Sequence, residues 1–391
     1  MSKSLKIATA AVAVLVLAAV FAGGALFGHT VLPSDSAAVE WNSLQRTVAE
    51  VNSIILREAL DPSTESSRTA GAVNGMLMSL DDPYASYFDE QHYEYFNQES
   101  MGQFYGIGIT ITSRENDLVV VSVLEDTPAE RAGLKADDVI VEIDGESRTK
   151  WDSDEAVLLI RGEEGTDVTL GIRRGDEEEL RDFTITRAKI EVPNIESELL
   201  EDEIGYIRLY SFNERAEEDV KKAIEKLSDQ GAKGFILDVR DNPGGLLDES
   251  VDVASLFIED GVIVTVEDRE GTEEVHRARG TTITDAPLVL LVNENSASAS
   301  EIVAGALQDH ARATIVGEKT FGKGSVQQVE ELSSGGAIKL TIAHYLTPKG
   351  RAIDKVGLTP DVVVPMEFEL QADKDTDTQL QKAIEVLKDE L

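Results

Sequence analysis

The chain of 391 residues contains no cysteine. That absence excludes disulfides, thiolate-bound zinc, iron–sulfur clusters and a thiol nucleophile together, while leaving the compartment open. Cations are also scarce: 36 Lys and Arg stand against 74 Asp and Glu, a formal net charge of −38. Such a chain lacks the charge to neutralise a phosphate backbone, which argues against nucleic acid as a partner. Its acidic runs, at 177–179, 217–219 and 267–274, read as solvated surface. Five histidines (His29, His92, His276, His310 and His344) form no ligand pattern, and neither His-Glu-x-x-His nor Gly-x-Ser-x-Gly occurs. No metal and no cofactor is expected. The apolar fraction of 42% is ordinary for globular proteins and supports a sizeable core, divided by chain length into two or three domains.

What is present begins at the N-terminus. Lys3 and Lys6 precede an apolar run over 7–27, and polar sequence starts at His29. A helix of that length spans about 30 Å of hydrocarbon, and the leading positive charge keeps its start in the cytoplasm. Residues 1–32 are therefore expected to be a membrane anchor, with the rest of the chain extracytoplasmic. The competing reading is a cleaved signal segment and a secreted protein, although such segments usually have an apolar core of about 7–15 residues.

Residues 33–101 read as a helical region. Trp41, Leu44, Val48, Val51 and Ile55 recur at spacings of three and four, the stripe of an amphipathic helix. A second helix carries Ala70, Val73, Leu77 and Leu80 and breaks at Asp81-Asp82-Pro83. The pair serves either as a dimerisation arm or as a packing support. From 102 to 188 the period changes to short β-rich runs at 108–112, 118–123, 139–143, 168–173 and 180–186, interrupted by helical pieces at 128–132 and 152–160. Tyr105-Gly106-Ile107-Gly108-Ile109, Thr127-Pro128-Ala129, Ala132-Gly133-Leu134 and Asp144-Gly145 follow in order, and this segment resembles a PDZ domain. The resemblance makes residues Tyr105 to Ile109 the peptide-binding loop: glycines there let backbone N–H groups approach a carboxylate as an anion nest, and the peptide adds as a strand to an open edge.

From 189 to 370 strands and helices alternate in the βαβ manner, and 371–391 returns to helix through Leu380, Ala383, Val386 and Leu387. The fold class is thus α/β and α+β multidomain: a helical N-terminal unit, a PDZ-like β-rich domain, and an α/β core.

Within that core, Gly317-Glu-Lys-Thr-Phe-Gly322-Lys323 satisfies part of a phosphate-binding loop. The next residue is Gly324 where Mg²⁺ needs a hydroxyl, and the following residues read as strand, so the phosphate-holding helix N-terminus is missing. A different use of the lysine starts at Asn295-Ser296-Ala297-Ser298-Ala299-Ser300-Glu301, where a strand over 288–292 runs through small residues into a helix. A serine in the first helical turn lies at the carboxyl end of the sheet, where open α/β folds bind ligands, and the amide after it favours a developing oxyanion. Taken alone, that cluster reads as an ordinary helix cap rather than a catalytic turn.

The three segments Asp238-Val-Arg-Asp-Asn-Pro-Gly-Gly245, Asn295 to Glu301 and Gly317 to Gly324 occur together, behind Asp82-Pro-Tyr-Ala-Ser-Tyr-Phe88 and the PDZ-like segment. In this order and spacing the chain resembles the carboxyl-terminal processing (tail-specific) proteases of serine peptidase family S41 from about 81 to 364. The resemblance implies a crotonase-like core and an endopeptidase acting on protein substrates with accessible C-terminal tails. It makes Ser298 the nucleophile, Lys323 its general base 25 residues on and Gln327 the residue that orients the lysine. Ala299 and Gly244, or its neighbour Gly245, become the oxyanion-hole donors. Ser296, Ser300 and Lys319 are the competing candidates. It also suggests a homodimer through the terminal helices. A lysine base must be neutral near pH 7 although its reference pKa is about 10.4, so burial must lower it, and Glu301 and Glu318 are expected to point away from it. The alternative function is a catalytically silent, membrane-tethered module that recruits partners through the PDZ domain.

Overall fold

The structure is a computed structural model that describes residues 35–114, 117–148, 150–175, 179–191, 194–365 and 376–391. The apolar leader over 7–27 lies outside the described residues; among those described, no helix is long and apolar enough to cross a membrane. The chain divides into two compact units, 1–80 and 81–391. In the first, helices Asp35–Glu58 and Glu65–Met78 are the described elements. Thr64 caps the second, its hydroxyl accepting from the Ser67 amide, and Arg68 Nε donates to Asn52 Oδ1 at 2.7 Å to tie the pair. Leu44, Val48 and Val51 of the expected stripe remain about half exposed.

In the second unit, the β-rich segment is a five-stranded antiparallel path in the order Ile109–Arg114, Asp117–Val123, Val139–Ile143, Asp167–Arg173 and Arg181–Thr186. Its own core contains Ile107, Val120, Ile140, Leu170 and Trp151. Helix Pro128–Ala132 starts at the Thr127 cap and ends at Gly133 with φ 88°, a left-handed position that glycine takes without a Cβ clash. Ile109–Arg114 is an edge strand, leaving one side open.

The α/β core is a six-stranded sheet in the order Ile195–Leu200, Ile204–Leu209, Gly234–Asp238, Leu288–Val292, Thr314–Gly317 and Val362–Val363. The first pair is antiparallel and the others parallel. Every residue of the two central strands is buried, as continuous apolar runs require when both faces are covered. Alternation divides the faces: Leu288, Leu290 and Val292 pack with helices Ala216–Asp229, Leu247–Ser255 and Ala299–Asp309. Val289 and Leu291 pack with Leu380, Ala383 and Leu387 of the C-terminal helix Thr378–Glu390.

A second sheet joins Ser86–Phe88, Ala337–Leu346, Val262–Asp268 and Glu273–Arg277, with Ser325–Glu331 paired to Ala337–Leu346. Ser86–Phe88 lies antiparallel to that long strand, with Ser86 opposite Lys339. Residues 81–101, grouped in sequence with the N-terminal helices, therefore belong to the second unit.

The C-terminal helix is fastened by a buried charge cluster. Arg240 bonds Asp238 at 2.6 Å and Asp377 at 2.8 Å, and all three side chains are at most 3% exposed. Asp377 also caps the helix, accepting from the Leu380 amide at 2.8 Å. Removing one partner leaves a buried cation under-compensated and uncaps the helix. Asp377→Ala is expected to lower unfolding stability by about 3–5 kcal/mol, read as a shift of the urea midpoint; a shift equivalent to under about 1 kcal/mol would contradict the clamp.

Candidate active site

Three loops meet beyond the carboxyl ends of adjacent parallel strands: 239–245 after Gly234–Asp238, 293–298 after Leu288–Val292, and 318–324 after Thr314–Gly317. They converge on a cavity of about 660 Å³ whose lining includes Gly244, Ser298, Ala299, Lys323, Gln327 and Tyr345.

The serine cluster sorts itself by contact. Ser296 Oγ donates to Val239 O at 2.7 Å and Ser300 Oγ to Asn242 O at 2.9 Å, and both residues are fully buried. They anchor the turn to the neighbouring loop. Ser298 faces the cavity instead, in a backbone conformation of φ 54° and ψ −113°. Non-glycine residues avoid that region at a cost of about 1–3 kcal/mol. The Tyr345 phenol lines the same cavity and donates to the carbonyl of Lys323.

The loop 239–245 comes close because Gly244 lacks a side chain. At its φ of 103° a Cβ would stand 2.8 Å from Ser298 Cβ and 2.9 Å from the Ala299 nitrogen. The Gly244 N–H itself donates to Asn242 Oδ1 at 2.9 Å. This corrects the choice of Gly244 as an available donor: a side chain two residues back closes a local turn on it. The neighbouring Gly245 N–H and the Ala299 N–H have no acceptor among the described residues, the latter because the first amides of a helix lack an intrahelical partner.

Lys323 sits between two glycines that let its loop press against 353–357: a Cβ on Gly324 would lie 2.2 Å from the Asp354 nitrogen. Its Nζ stands 5.0 Å from the centre of the Tyr84 ring. Among the described residues no carboxylate pairs with it. Burial pushes the amine below its ordinary pKa, and the nearby Lys339 charge adds to this, against the opposing field of Glu301. Lys319 is exposed and outside the cavity.

Glu318 points away, toward Gln379 Nε2 at 3.3 Å. Glu301 does not, and here the expectation is corrected. Its fully buried carboxylate takes the N–H of Ser298 at 3.0 Å and of Lys323 at 2.8 Å on one oxygen. The other oxygen takes the Gly322 N–H at 2.8 Å and the Thr320 hydroxyl at 2.5 Å. The third residue of the helix reaches back as in a capping box and at the same time bolts the lysine loop to the serine turn. Burial raises its pKa, opposed by these four hydrogen bonds. Gln327 lines the cavity, but its Nε2 donates to Ser325 O at 3.1 Å and Ser325 Oγ at 2.8 Å rather than to the lysine.

Comparison with known proteins matches residues 203–364 to "Peptidase family S41", 106–185 to "PDZ domain", and 29–92 to "Activating protease CtpB N-terminal domain". The "Carboxyl-terminal-processing protease" of Synechocystis sp. is 40% identical over 359 residues, covering 89% of this chain and 84% of its own. The chain belongs to peptidase family S41.

A second relative, the "Carboxy-terminal processing protease CtpA" of Bacillus subtilis, is 39% identical over 81% of this chain and 70% of its own. A solved "Photosystem II D1 C-terminal processing protease" superposes with a TM-score of 0.53 at 32% identity, covering 88% of this chain and 92% of that one. This S41 member is a serine-type peptidase with a PDZ domain, of the carboxyl-terminal processing kind.

The PDZ domain of this S41 peptidase carries a cavity of about 320 Å³ lined by Phe104, Gly106, Ile107, Gly108, Ile109 and Arg161. Gly108, with φ 87°, brings the loop against Thr127, whose Cβ a side chain would meet at 2.4 Å. Tyr105 does not line this cavity; it lies in the strand Gln103–Gly106, paired with Lys189. His310 and His344 take no part in the active cavity; His310 Nε2 pairs with Val262 O at 2.7 Å. Sequence reasoning missed Tyr345, Lys339 and the bolting role of Glu301. Only the offset of Glu301 from Ser298, the third position of a helix, carried a signal for any of them.

Proposed function

We propose that this chain is an endopeptidase in which Ser298 and Lys323 form a Ser-Lys dyad working through an acyl-enzyme. The neutral amine of Lys323 takes the proton of the Ser298 hydroxyl as Oγ attacks the scissile carbonyl. The oxyanion is received by the N–H groups of Ala299 and Gly245. The lysine ammonium then returns its proton to the departing amine as the C–N bond breaks, leaving the acyl group on Oγ. Water, deprotonated by the same amine, attacks the ester; the C–Oγ bond breaks, Oγ takes the proton back from the lysine ammonium, and the acid leaves. Gln327 orients Lys323 through Ser325, the strand residue that it holds two positions beyond the lysine. The PDZ cavity takes the C-terminal tail of a protein substrate, with the amides of the 106–109 loop on the carboxylate and the open edge of Ile109–Arg114 pairing with the tail. The apolar leader over 7–27 anchors the enzyme so that the catalytic unit acts outside the cytoplasm, and the terminal helices contribute to a homodimer.

The observation that carries the reading is the pairing of opposites in one cavity: the one serine of the three that lines it, and a half-buried lysine with no carboxylate partner among the described residues. The experiment is digestion of an unfolded protein by the wild type and by Ser298→Ala and Lys323→Ala. Cleavage by the wild type alone supports the dyad; cleavage surviving both substitutions overturns it, and no cleavage by the wild type favours a silent tether.

A further inference from the structure

Lys339 lines the same cavity as Ser298 and Lys323, on the strand Ala337–Leu346. It faces Val329 across the hairpin, while Thr341, two residues along, faces Gln327. Residues i and i+2 of a strand share one face about 7 Å apart, so Lys339 lies about two residues of extended peptide from the position opposite Gln327. Its Nζ is held at 5.4 Å from the centre of the Phe88 ring and 5.9 Å from that of Phe96, two rings stacked 5.1 Å apart. Ring faces steady an ammonium without neutralising it. No carboxylate pairs with Lys339 among the described residues, although the chain carries 74 acidic residues.

We propose that Lys339 is a specificity-determining residue that receives a substrate carboxylate in the catalytic cavity. A pre-formed, partly desolvated cation gains more from an anionic ligand than an exposed one does, and a neutral group there leaves the ammonium without a partner. The carboxylate comes either from the substrate's C-terminus or from an Asp or Glu side chain. The inference rests on the dyad reading above, and it goes beyond that reading because the PDZ cavity, which also takes a terminal carboxylate, does not contain Lys339.

The test uses the full chain and one peptide sequence in matched pairs: free acid against C-terminal amide, and internal Glu against Gln. For wild type, Lys339→Met, Lys339→Gln and Lys339→Arg, the ratio of kcat/KM within each pair is measured. The neutral variants are expected to reduce at least one ratio about tenfold or more, with Lys339→Arg restoring it. A collapse in the acid/amide pair identifies the terminus as the source, and one in the Glu/Gln pair identifies the side chain. Ratios unchanged in both neutral variants overturn the inference. A second readout separates it from a merely structural role: losing this charge lets Lys323 hold its proton more tightly, so the acidic limb of the pH–rate profile moves to higher pH. Ser298→Ala, run alongside, identifies a failure of the dyad itself, since hydrolysis surviving there sinks the reading on which the inference rests.

Discussion

Replacing Ser298 with alanine is expected to lower kcat by about 10⁴-fold or more, the scale seen when a nucleophile that acts as a unit with its base is deleted. The binding groups remain: the Ala299 and Gly245 amides belong to the backbone, and the PDZ cavity is elsewhere, so KM changes little by comparison. The neighbouring serines provide the contrast. Ser296 and Ser300 donate to the carbonyls of Val239 and Asn242 from fully buried positions. Truncating either removes a buried hydrogen bond, and at Ser296 also unpairs the Asn293 N–H that donates to its Oγ at 2.9 Å, at a cost of about 1–3 kcal/mol of stability while kcat stays within about tenfold. The check is a turnover assay with a denaturant melt on each variant. Equal kcat losses at all three serines would show that the turn, rather than one hydroxyl, is what matters.

The second large effect belongs to Glu301→Gln. Each carboxylate oxygen accepts from two donors, so an amide at the same place sets an NH₂ against two of them. Leaving buried donors unsatisfied costs about 1–3 kcal/mol each, and a loss of about 3 kcal/mol in stability is expected. The serine turn and lysine loop also lose their common anchor, and misplacement by about 1 Å costs about 10²-fold in rate. The sign of the pH effect is fixed by the charge. Glu301 favours the ammonium form of Lys323, so its neutral replacement moves the acidic limb of the rate profile to lower pH even as the rate falls. A variant as stable as wild type and within tenfold in kcat would contradict the bolt.

Much of this was legible in the sequence because its causes are local. The buried strands Gly234–Asp238 and Leu288–Val292 are short apolar runs ending in small polar residues, and Gly322 and Gly324 mark a backbone that must come close to another. Contacts across long separations were not legible. Arg240 meets Asp377 across 137 residues, and nothing near either predicts the other. Ser86–Phe88 is too short to announce itself as a strand, yet it lies beside Lys339. Gly244 and Gly245 are indistinguishable by pattern, and only the side chain of Asn242 separates them. The leader over 7–27 remains a matter of sequence pattern.

The pH dependence of kcat/KM on a neutral peptide measures most directly whether Lys323 is a free-enzyme base, since that quantity reports the ionisation of the uncombined enzyme. The account predicts an acidic limb with its midpoint below the ordinary lysine value of about 10.4, displaced upward in Lys339→Met and downward in Glu301→Gln. A limb at or above that value, unmoved by either substitution, would contradict it.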